Sequence, residues 1–374
     1  MNQQETIDAI ALTRVGYFGL VGLQELYQRV GSATEIVKHR RNIREILPDA
    51  SPRLVEAFAT MDEALKRAEV EFAQATAMGI VPLTMGDARY PQRLCECPDA
   101  PLVLYYKGTA NLNQLRVVSI VGTRHATPYG QNLVRQFMAD LRQLCPQVLI
   151  VSGLAYGIDI CAHRQALQNG YETVAVLAHG LDELYPTLHR QTAEEMLTKG
   201  GLLTEYPLQT RIDKQNFVRR NRIVAGMADA VILVESAAQG GGLITARIAQ
   251  EYNRDVLAFP GSVGAPYSEG CNNLIRDGGA GLISNAKDFV QAVGWTTDEQ
   301  LMAAQQQGIE RELFPELTDE EKHVVDVLRK QNDLQVNMLS VQSGLPVGRL
   351  SAILFSLEMK GVVRGMAGGT YHLQ

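Results

Sequence analysis

The sequence lacks the features that mark several large classes of protein. Its 374 residues include five cysteines, an odd and scattered set that excludes a disulfide framework and indicates a reducing compartment. No apolar stretch reaches about 18 residues, and the first residues show no basic region followed by an apolar core. Neither a membrane span nor a signal sequence is predicted. We therefore expect a cytoplasmic protein that has no contact with a membrane.

Motifs of common catalytic and cofactor sites are missing as well. The chain has no GxxxxGK[ST], GxSxG or HExxH pattern, and Gly240 and Gly242 do not complete a dinucleotide fingerprint because Thr245 stands where the third glycine belongs. Cys95 and Cys97 have no second pair at zinc-finger spacing. We expect no catalytic residues, no enzyme activity and no metal.

A positive net charge is also absent. The formal charge is -6, so the field of the whole molecule does not attract nucleic acid, and any site for a polyanion must be local. The hydrophobic fraction of 46% in a chain of this length allows two or three domains with substantial cores.

What the chain does contain is a series of apolar runs that alternate with helical patterns. Near-continuous apolar strands separated by helices predict an α/β fold, a Rossmann-like doubly wound parallel sheet over residues 79–292. Ligands of such sheets bind beyond the carboxyl ends of the strands, where this sequence places glycines. The strand segments are RVVSIVG from Arg116, VLIVSG from Val148, TVAVLAHG from Thr173, GLLTEYP from Gly201, AVILVES from Ala230 and DVLAFPG from Asp255.

Two smaller segments flank this domain. Residues 1–75 carry helical spacing interrupted by glycine turns, which fits a SAM or helix-hairpin-helix-like module and fits equally a small bundle that packs on its neighbour. Residues 293–315 are polar and rich in Gln, as in a linker. Residues 316–374 predict a winged helix, whose first helix begins with a capping box of Thr318 and Glu321.

A basic cluster stands out against the acidic background. Between Arg211 and Arg222 there are five basic residues and one acid. The arginines could pair with carboxylates such as Glu205 and Glu235, or they could bind phosphate. Phosphate is favoured because the cluster falls between two strand ends, and Arg124 directly follows another strand end.

Two polar sets have both a catalytic and a structural explanation. Asp159 and His163 are four residues apart on a predicted helix, as a general acid/base pair would be, but an Asp at the start of its helix and a His bonded to nearby backbone are equally compatible. His179, Asp182 and Tyr185 follow a strand end and could line the same crevice or form a structured turn.

Six spaced motifs together resemble the DprA (Smf) family of DNA-processing proteins. They are IVGTRHATPYG, IVSGLAYGIDICAHRQAL, TVAVLAHGLDELYP, FVRRNRIVAG, GGGLITARIA and FPGSVGAPYSEGCNNLIRDGGA. The resemblance implies a bacterial protein that binds incoming single-stranded DNA without sequence preference, protects it, and loads the RecA recombinase on it during natural transformation and recombination. It also implies a homodimer formed through the Rossmann-like domain and no cofactor.

The resemblance also implies roles for individual residues. Arg124 would lie in the DNA pocket, and Phe217, Asn221 and Arg222 would contact base and phosphate. If the strand is held in this way, we expect Arg222→Glu to abolish most binding while leaving the fold intact. The family often has a basic residue where Tyr156 stands, Pro where Val218 stands, and Ser in the glycine loop. Combined with the strand ends and the basic cluster, the expected DNA-binding residues are Gly122, Thr123, Arg124, Gly153, Lys214, Phe217, Arg219, Arg220, Asn221, Arg222, Gly240, Gly241 and Gly242.

Two other functions stay open at this point. The fold resembles that of nucleoside-monophosphate phosphoribohydrolases, but the nearest text to their PGGxGTxxE signature is PGSVGAPYSE, which has Ser262 in place of a glycine and no Thr after Gly264. The winged helix could read duplex DNA as a regulator does, although residues 334–374 supply only three Arg or Lys side chains.

Overall fold

The computed structural model of the protein describes residues 3–295, 317–332, 334–360, 362–366 and 369–373. It divides into two compact units, Met1–Asp298 and Glu299–Gln374. The predicted linker, residues 293–315, lies outside the described residues from position 296 onward. The boundary predicted between residues 75 and 79 falls within the first unit and stays a prediction.

The first unit contains thirteen described helices and nine strands. The helices are α1 (Gln3–Thr13), α2 (Leu20–Val30), α3 (Ala33–Lys38), α4 (Pro52–Ala59), α5 (Asp62–Ala77), α6 (Gln92–Cys95), α7 (Pro128–Leu144), α8 (Ile158–Gln168), α9 (Arg190–Met196), α10 (Lys214–Gly226), α11 (Gly241–Glu251), α12 (Glu269–Arg276) and α13 (Ala286–Ala292). The strands are β1 (Val81–Thr84), β2 (Val103–Gly108), β3 (Val117–Val121), β4 (Leu149–Ser152), β5 (Thr173–Val176), β6 (Gly200–Thr204), β7 (Ala230–Leu233), β8 (Asp255–Ala258) and β9 (Gly281–Leu282).

The nine strands form one sheet in the order β1-β2-β6-β5-β4-β3-β7-β8-β9. Strands β3 to β9 run parallel, which confirms the predicted doubly wound sheet. The sequence pattern did not reveal that β1 and β2 are antiparallel and extend the sheet beyond β6. Strand order reverses between β3 and β7, because the chain winds away from β3 in both directions.

Both faces of the parallel strands are buried, which explains their near-continuous apolar character. Successive residues of a strand point to opposite faces. Val117 and Val121 of β3 therefore belong to one hydrophobic cluster, while Val118 and Ile120 belong to the cluster on the other side. Helices α7, α8 and α13 cover the second face, where Phe137 packs edge-on against Phe289 with ring centroids 5.5 Å apart.

Helices α1 to α5 form a small bundle that packs on the edge of the sheet. Its core continues directly into Val103 and Tyr105 of β2. The carboxylate of Glu71 on α5 accepts hydrogen bonds from Arg14, at 2.7 Å, and from the backbone N–H of Leu208, at 2.9 Å. This arrangement is the one expected of a bundle that packs on its neighbour.

The second unit is a winged helix with its own core, as predicted. It contains α14 (Asp319–Lys330), α15 (Val336–Ser343) and α16 (Val347–Met359), with β10 (Leu334–Gln335), β11 (Val363–Met366) and β12 (Thr370–Leu373) in the order β10-β12-β11. The capping box is present, with Thr318 N–H donating to Glu321 at 2.7 Å and Glu321 N–H donating to the Thr318 hydroxyl at 3.3 Å.

No single helix within the described residues is long and apolar enough to cross a membrane. The pair α15 and α16 meets the criteria of length and composition only when the two are taken together, and they are bent by 106° at their junction.

Candidate functional site

A crevice of about 720 Å³ opens at the carboxyl ends of the parallel strands. It lies where β3 and β7 are neighbours, the point at which strand order reverses. The loops that follow two such strands diverge, and this geometry forms the ligand site of doubly wound folds. Residues of helix α10 form one wall, and the glycine loop before α11 forms another.

The crevice brings together eleven of the thirteen residues predicted to bind DNA. Arg219 and Arg222 are the two that do not line it. The lining members of the predicted set are Gly122, Thr123, Arg124, Gly153, Lys214, Phe217, Arg220, Asn221, Gly240, Gly241 and Gly242.

The loop after β3 holds Arg124 at the mouth of the crevice. Thr123 N–H donates to the backbone carbonyl of Glu235 at 2.7 Å, and the buried Glu235 carboxylate accepts from the N–H and hydroxyl of Thr127 at 2.9 and 2.5 Å. Glu235 thus fixes this loop instead of pairing with an arginine of the basic cluster. The Arg124 guanidinium lies over the ring of Phe217, 5.7 Å from its centroid, while its side chain stays exposed.

The basic side chains of helix α10 point in different directions. Asp213 caps the helix by accepting from Gln215 N–H at 2.6 Å. Each residue turns by about 100° around the axis, so side chains three or four positions apart share a face. One face presents Lys214, Phe217 and Asn221 to the crevice. Arg219 points into solvent on another side, and its predicted contact with DNA stays a prediction.

Arg220 forms the floor of the crevice and is almost fully buried. It donates to the carbonyl of Gly153 at 2.7 Å and to that of Val176, so it ties together the ends of β4 and β5. A Cβ atom at Gly153 would collide with this guanidinium, which explains the glycine. Burial raises the pKa of the adjacent Asp159 carboxyl, and the Arg220 charge opposes that effect.

The assignment of Arg222 to the crevice is corrected. Its side chain is buried and is directed away from the crevice. It pairs with the buried carboxylate of Glu205 and approaches Asp99 at 3.7 Å. Pairing with Glu205 was the other explanation of the cluster, and it holds for this residue because one step along the helix from Asn221 turns the side chain toward the interior.

Aromatic rings add to the crevice beyond those predicted. Tyr185, which the sequence placed there only as one of two possibilities, lines it and packs edge-on against Phe217 with centroids 5.7 Å apart. Tyr267 also lines it and stacks on His125 with centroids 6.0 Å apart. Neither Tyr267 nor His125 was expected; Tyr267 lies in a Gly- and Pro-containing loop after a strand end, which was the available signal.

The remaining polar candidates have structural partners. Asp159 accepts from Gly153 N–H at 3.2 Å, and His163 Nδ1 lies 2.7 Å from the Thr173 hydroxyl. Complete burial lowers the pKa of His163 to about 3, so its ring is neutral at physiological pH. His179 is also buried in a turn, where its Nε2 accepts from the backbone N–H of Tyr185.

No cluster of three or more His, Cys, Asp or Glu side chains with the geometry of a metal site occurs among the described residues.

Known proteins match the chain along most of its length. A family model described as DNA recombination-mediator protein A matches residues 82–294, and one described as DprA winged helix domain matches residues 312–369. Protein Smf of Synechocystis sp. is 33% identical over 323 residues, which make up 77% of this chain and 79% of that protein.

Solved structures with more than 25% sequence identity also share the fold. The X-ray structure of DNA processing protein A from Streptococcus pneumoniae has a TM-score of 0.65 and 33% identity, covering 77% of this chain and 97% of that one. A structure of DNA processing protein A from Helicobacter pylori, which concerns the single-stranded DNA binding mode of that protein, has a TM-score of 0.52 and 30% identity over 57% of this chain and 95% of that one. The two family models, together with sequence identity above 30% over most of the chain, show that the chain belongs to the DprA (Smf) family of DNA recombination-mediator proteins.

Proposed function

We propose that this protein binds single-stranded DNA in the crevice between β3 and β7 and does so without breaking a bond. The observation that carries the proposal is an exposed cation and two aromatic rings in contact within one cavity, Arg124 over Phe217 and Phe217 against Tyr185. The relative from Helicobacter pylori, whose structure concerns single-stranded DNA binding, supports the same ligand.

Phosphate and base would be held by different groups. Arg124 and Lys214 supply charge at the crevice wall, and the backbone N–H groups of Gly241 and Gly242 begin a helix, a favourable place for an anion. Bases turned away from these groups would stack on Phe217 and Tyr185. Neither phosphate contacts nor ring stacking distinguish one base from another, so binding should not depend on sequence.

Membership of the family supports a proposal for the wider role of the protein. We propose that it acts in the cytoplasm as a homodimer of the Rossmann-like domain, protects incoming single strands, and loads RecA on them in natural transformation and recombination. Two crevices in a dimer would engage one long strand with added avidity.

Salt dependence gives the proposal a quantitative form. If about four phosphates are neutralised, the logarithm of the association constant should fall by about 2.8 per decade of salt, since each single-strand contact contributes about 0.7. A fourfold rise in salt should then weaken binding by several tens of fold, roughly.

The first prediction concerns Arg124. We expect Arg124→Ala and Phe217→Ala each to weaken binding of a fluorescent oligo-dT by about tenfold, because each removes a phosphate or stacking contact. Fluorescence anisotropy across a salt series would measure this, with a duplex of equal length as competitor. Lys199→Ala is the control. Lys199 directly precedes β6, so it lies at the amino ends of the parallel strands, whereas the crevice lies at their carboxyl ends.

Two outcomes would favour the other functions. Duplex binding that equals single-strand binding and is unchanged in both variants would indicate the winged helix. No binding of oligo-dT, together with release of ribose phosphate from AMP, would indicate a nucleotide hydrolase.

A further inference from the structure

A second groove adjoins the crevice on the side of Arg124. It has a volume of about 440 Å³ and lies between the loop after β3 and helices α7 and α8. Arg124 and His125 line both cavities, so these two side chains form the wall that the cavities share. Apart from Arg124, none of the residues that line this groove was among the predicted DNA-binding residues.

Its charge favours an anion. Arg164 of α8 lines the groove with an exposed side chain, and its Nε donates to the Thr192 hydroxyl at 3.2 Å, which anchors the guanidinium at the rim. Together with Arg124 it gives the groove two cations. None of the described residues that line the groove is an Asp or Glu. In a protein of net charge -6, a cavity with two arginines and no acid is unlike the average surface.

A braced aromatic ring forms part of the same wall. Tyr156 is 40% exposed, and its ring packs edge-on against His189 with centroids 5.1 Å apart. His189 is itself buried and bonded through Nδ1 to the carbonyl of Leu154 at 2.8 Å. A ring that is braced by a buried neighbour and is still 40% exposed is pre-organised for stacking with a base.

Amide side chains complete the lining. Gln165 and Gln168 face the groove one helical turn apart and are joined by a hydrogen bond of 2.8 Å. A side-chain amide can donate its N–H to a phosphate oxygen, and because it also carries an acceptor it can form a hydrogen bond with a base edge. The groove thus offers a cation for phosphate, a ring for stacking and amides for polar contacts, the kinds of contact by which proteins bind an unpaired strand.

We propose that this groove is a second nucleotide-binding subsite, in which a single strand that fills the crevice continues past Arg124 and His125. The inference rests on the proposed function, since the strand must enter from the crevice. Phosphate would be held by Arg164, and a base would stack on Tyr156. The shared wall favours one continuous strand over a separate small ligand, because a strand that leaves the crevice on this side has the groove directly in its path.

The test compares two lengths of oligo-dT on the full chain. Lengths of about 4 and about 16 nucleotides span the site sizes that a single binding domain covers. We expect Arg164→Glu and Tyr156→Ala to weaken binding of the long oligonucleotide by about tenfold and to leave the short one unchanged, since the short one fills only the crevice. For Arg164→Glu the salt slope of the long oligonucleotide should fall by about 0.7.

Two controls separate this inference from the proposed function. Lys199→Glu makes the same change of charge at the amino ends of the parallel strands, away from the groove, and this variant should bind both lengths as the parent does. Arg124→Ala should weaken both lengths. If Arg164→Glu binds both lengths like the parent, or weakens both equally, the subsite is refuted while the crevice stands. If the parent binds neither length, both proposals fail.

A measurement on the unaltered protein makes the test independent of folding in the variants. The half-buried thiol of Cys161 lines the groove, and the half-buried thiol of Cys95 lies on α6, away from it. We expect the long oligonucleotide to slow alkylation of Cys161 by iodoacetamide, and the short one to leave the rate unchanged. The rate at Cys95, followed by mass spectrometry in the same sample, should not change. Equal alkylation of Cys161 with both lengths would overturn the subsite.

Discussion

At the scale of single residues, the basic cluster separates into side chains with different tasks. Lys214 lines the crevice, Arg220 supports its floor, and Arg222 belongs to a buried ion pair. The sequence showed that the charges were concentrated near strand ends, which was enough to predict a crevice at this end of the sheet. It could not show the direction of each side chain, because the helix phase is set by the cap at Asp213 and by packing on the sheet.

The ion pair of Arg222 leads to a prediction that reverses the one made from the sequence. We expect Arg222→Ala to lower the free energy of unfolding by about 3–5 kcal/mol, because it leaves Glu205 buried without its partner. Urea denaturation followed by circular dichroism would measure it. The Arg222→Ala protein that remains folded should still bind oligo-dT with nearly parental affinity, since Arg222 does not line the crevice.

The loss of stability should depend on pH in a defined direction. Burial already raises the pKa of Glu205, with the Arg222 charge acting against it, and removing Arg222 raises that pKa further. An acid whose pKa is higher in the folded state favours folding at low pH and loses that contribution as pH rises through the folded pKa. The deficit of the variant should therefore be smaller at about pH 5 than at about pH 8.

Arg219→Ala is the matched control for this pair. Its side chain is exposed on the same helix, and we expect a change within about 0.5 kcal/mol. An Arg222→Ala variant that keeps parental stability and loses oligo-dT binding would restore the role given to it by family resemblance.

At the scale of elements, the apolar strands were predictable and their neighbours were not. All six predicted strand segments contain observed strands, because burial on both faces leaves an unbroken apolar run in the sequence. Such a run does not specify which strand lies beside it. The antiparallel addition of β2 to β6, and the bundle that packs on β2, depend on contacts between distant segments, as in the pairing of Tyr105 with Thr204.

The start of α11 offers a prediction at this scale, since adjacent glycines serve different purposes. A Cβ atom built at Gly241 has no heavy atom of the described chain within 4 Å, apart from its own neighbours. One built at Gly242 would lie 2.6 Å from Leu233 Cδ1 and 3.3 Å from the Cα of Gly122. We expect Gly242→Ala to destabilise the protein by about 1–3 kcal/mol through overpacking.

Gly241→Ala should instead affect binding. Its stability should stay within about 1 kcal/mol of the parent, because the site is open and the new methyl reduces only the freedom of the unfolded chain. If the strand's phosphate rests on this backbone, the methyl group will hold it away and weaken oligo-dT binding. Thermal unfolding and anisotropy on both variants distinguish the cases, and unchanged binding by Gly241→Ala would remove the glycine loop from the interface.

At the scale of the whole molecule, the part of the winged helix after residue 334 has little free charge to offer a duplex. Of its three Arg and Lys side chains after residue 334, Arg349 pairs with Glu320, and Lys360 donates to Glu321 at 2.7 and 2.8 Å. Phe355 and Met359 of α16 are 67% and 75% exposed, so this helix presents apolar groups where a groove-reading helix presents polar ones. We therefore propose that the first unit, and not the winged helix, binds the single strand.

Ending the chain after Asp298 tests this division. The first unit contains every residue that lines the crevice and the second groove, so the shortened chain should bind oligo-dT within about twofold of the parent, a difference of less than 0.5 kcal/mol, roughly. Arg124→Ala in the shortened chain should weaken binding as it does in the full one, which shows that the same site is measured. A loss of single-strand binding on removal of residues 299–374, with the remaining unit still folded by circular dichroism, would mean that the winged helix takes part in holding the strand. The proposal would then have to include its apolar face, because stacking on Phe355 would be the contact best suited to an unpaired base.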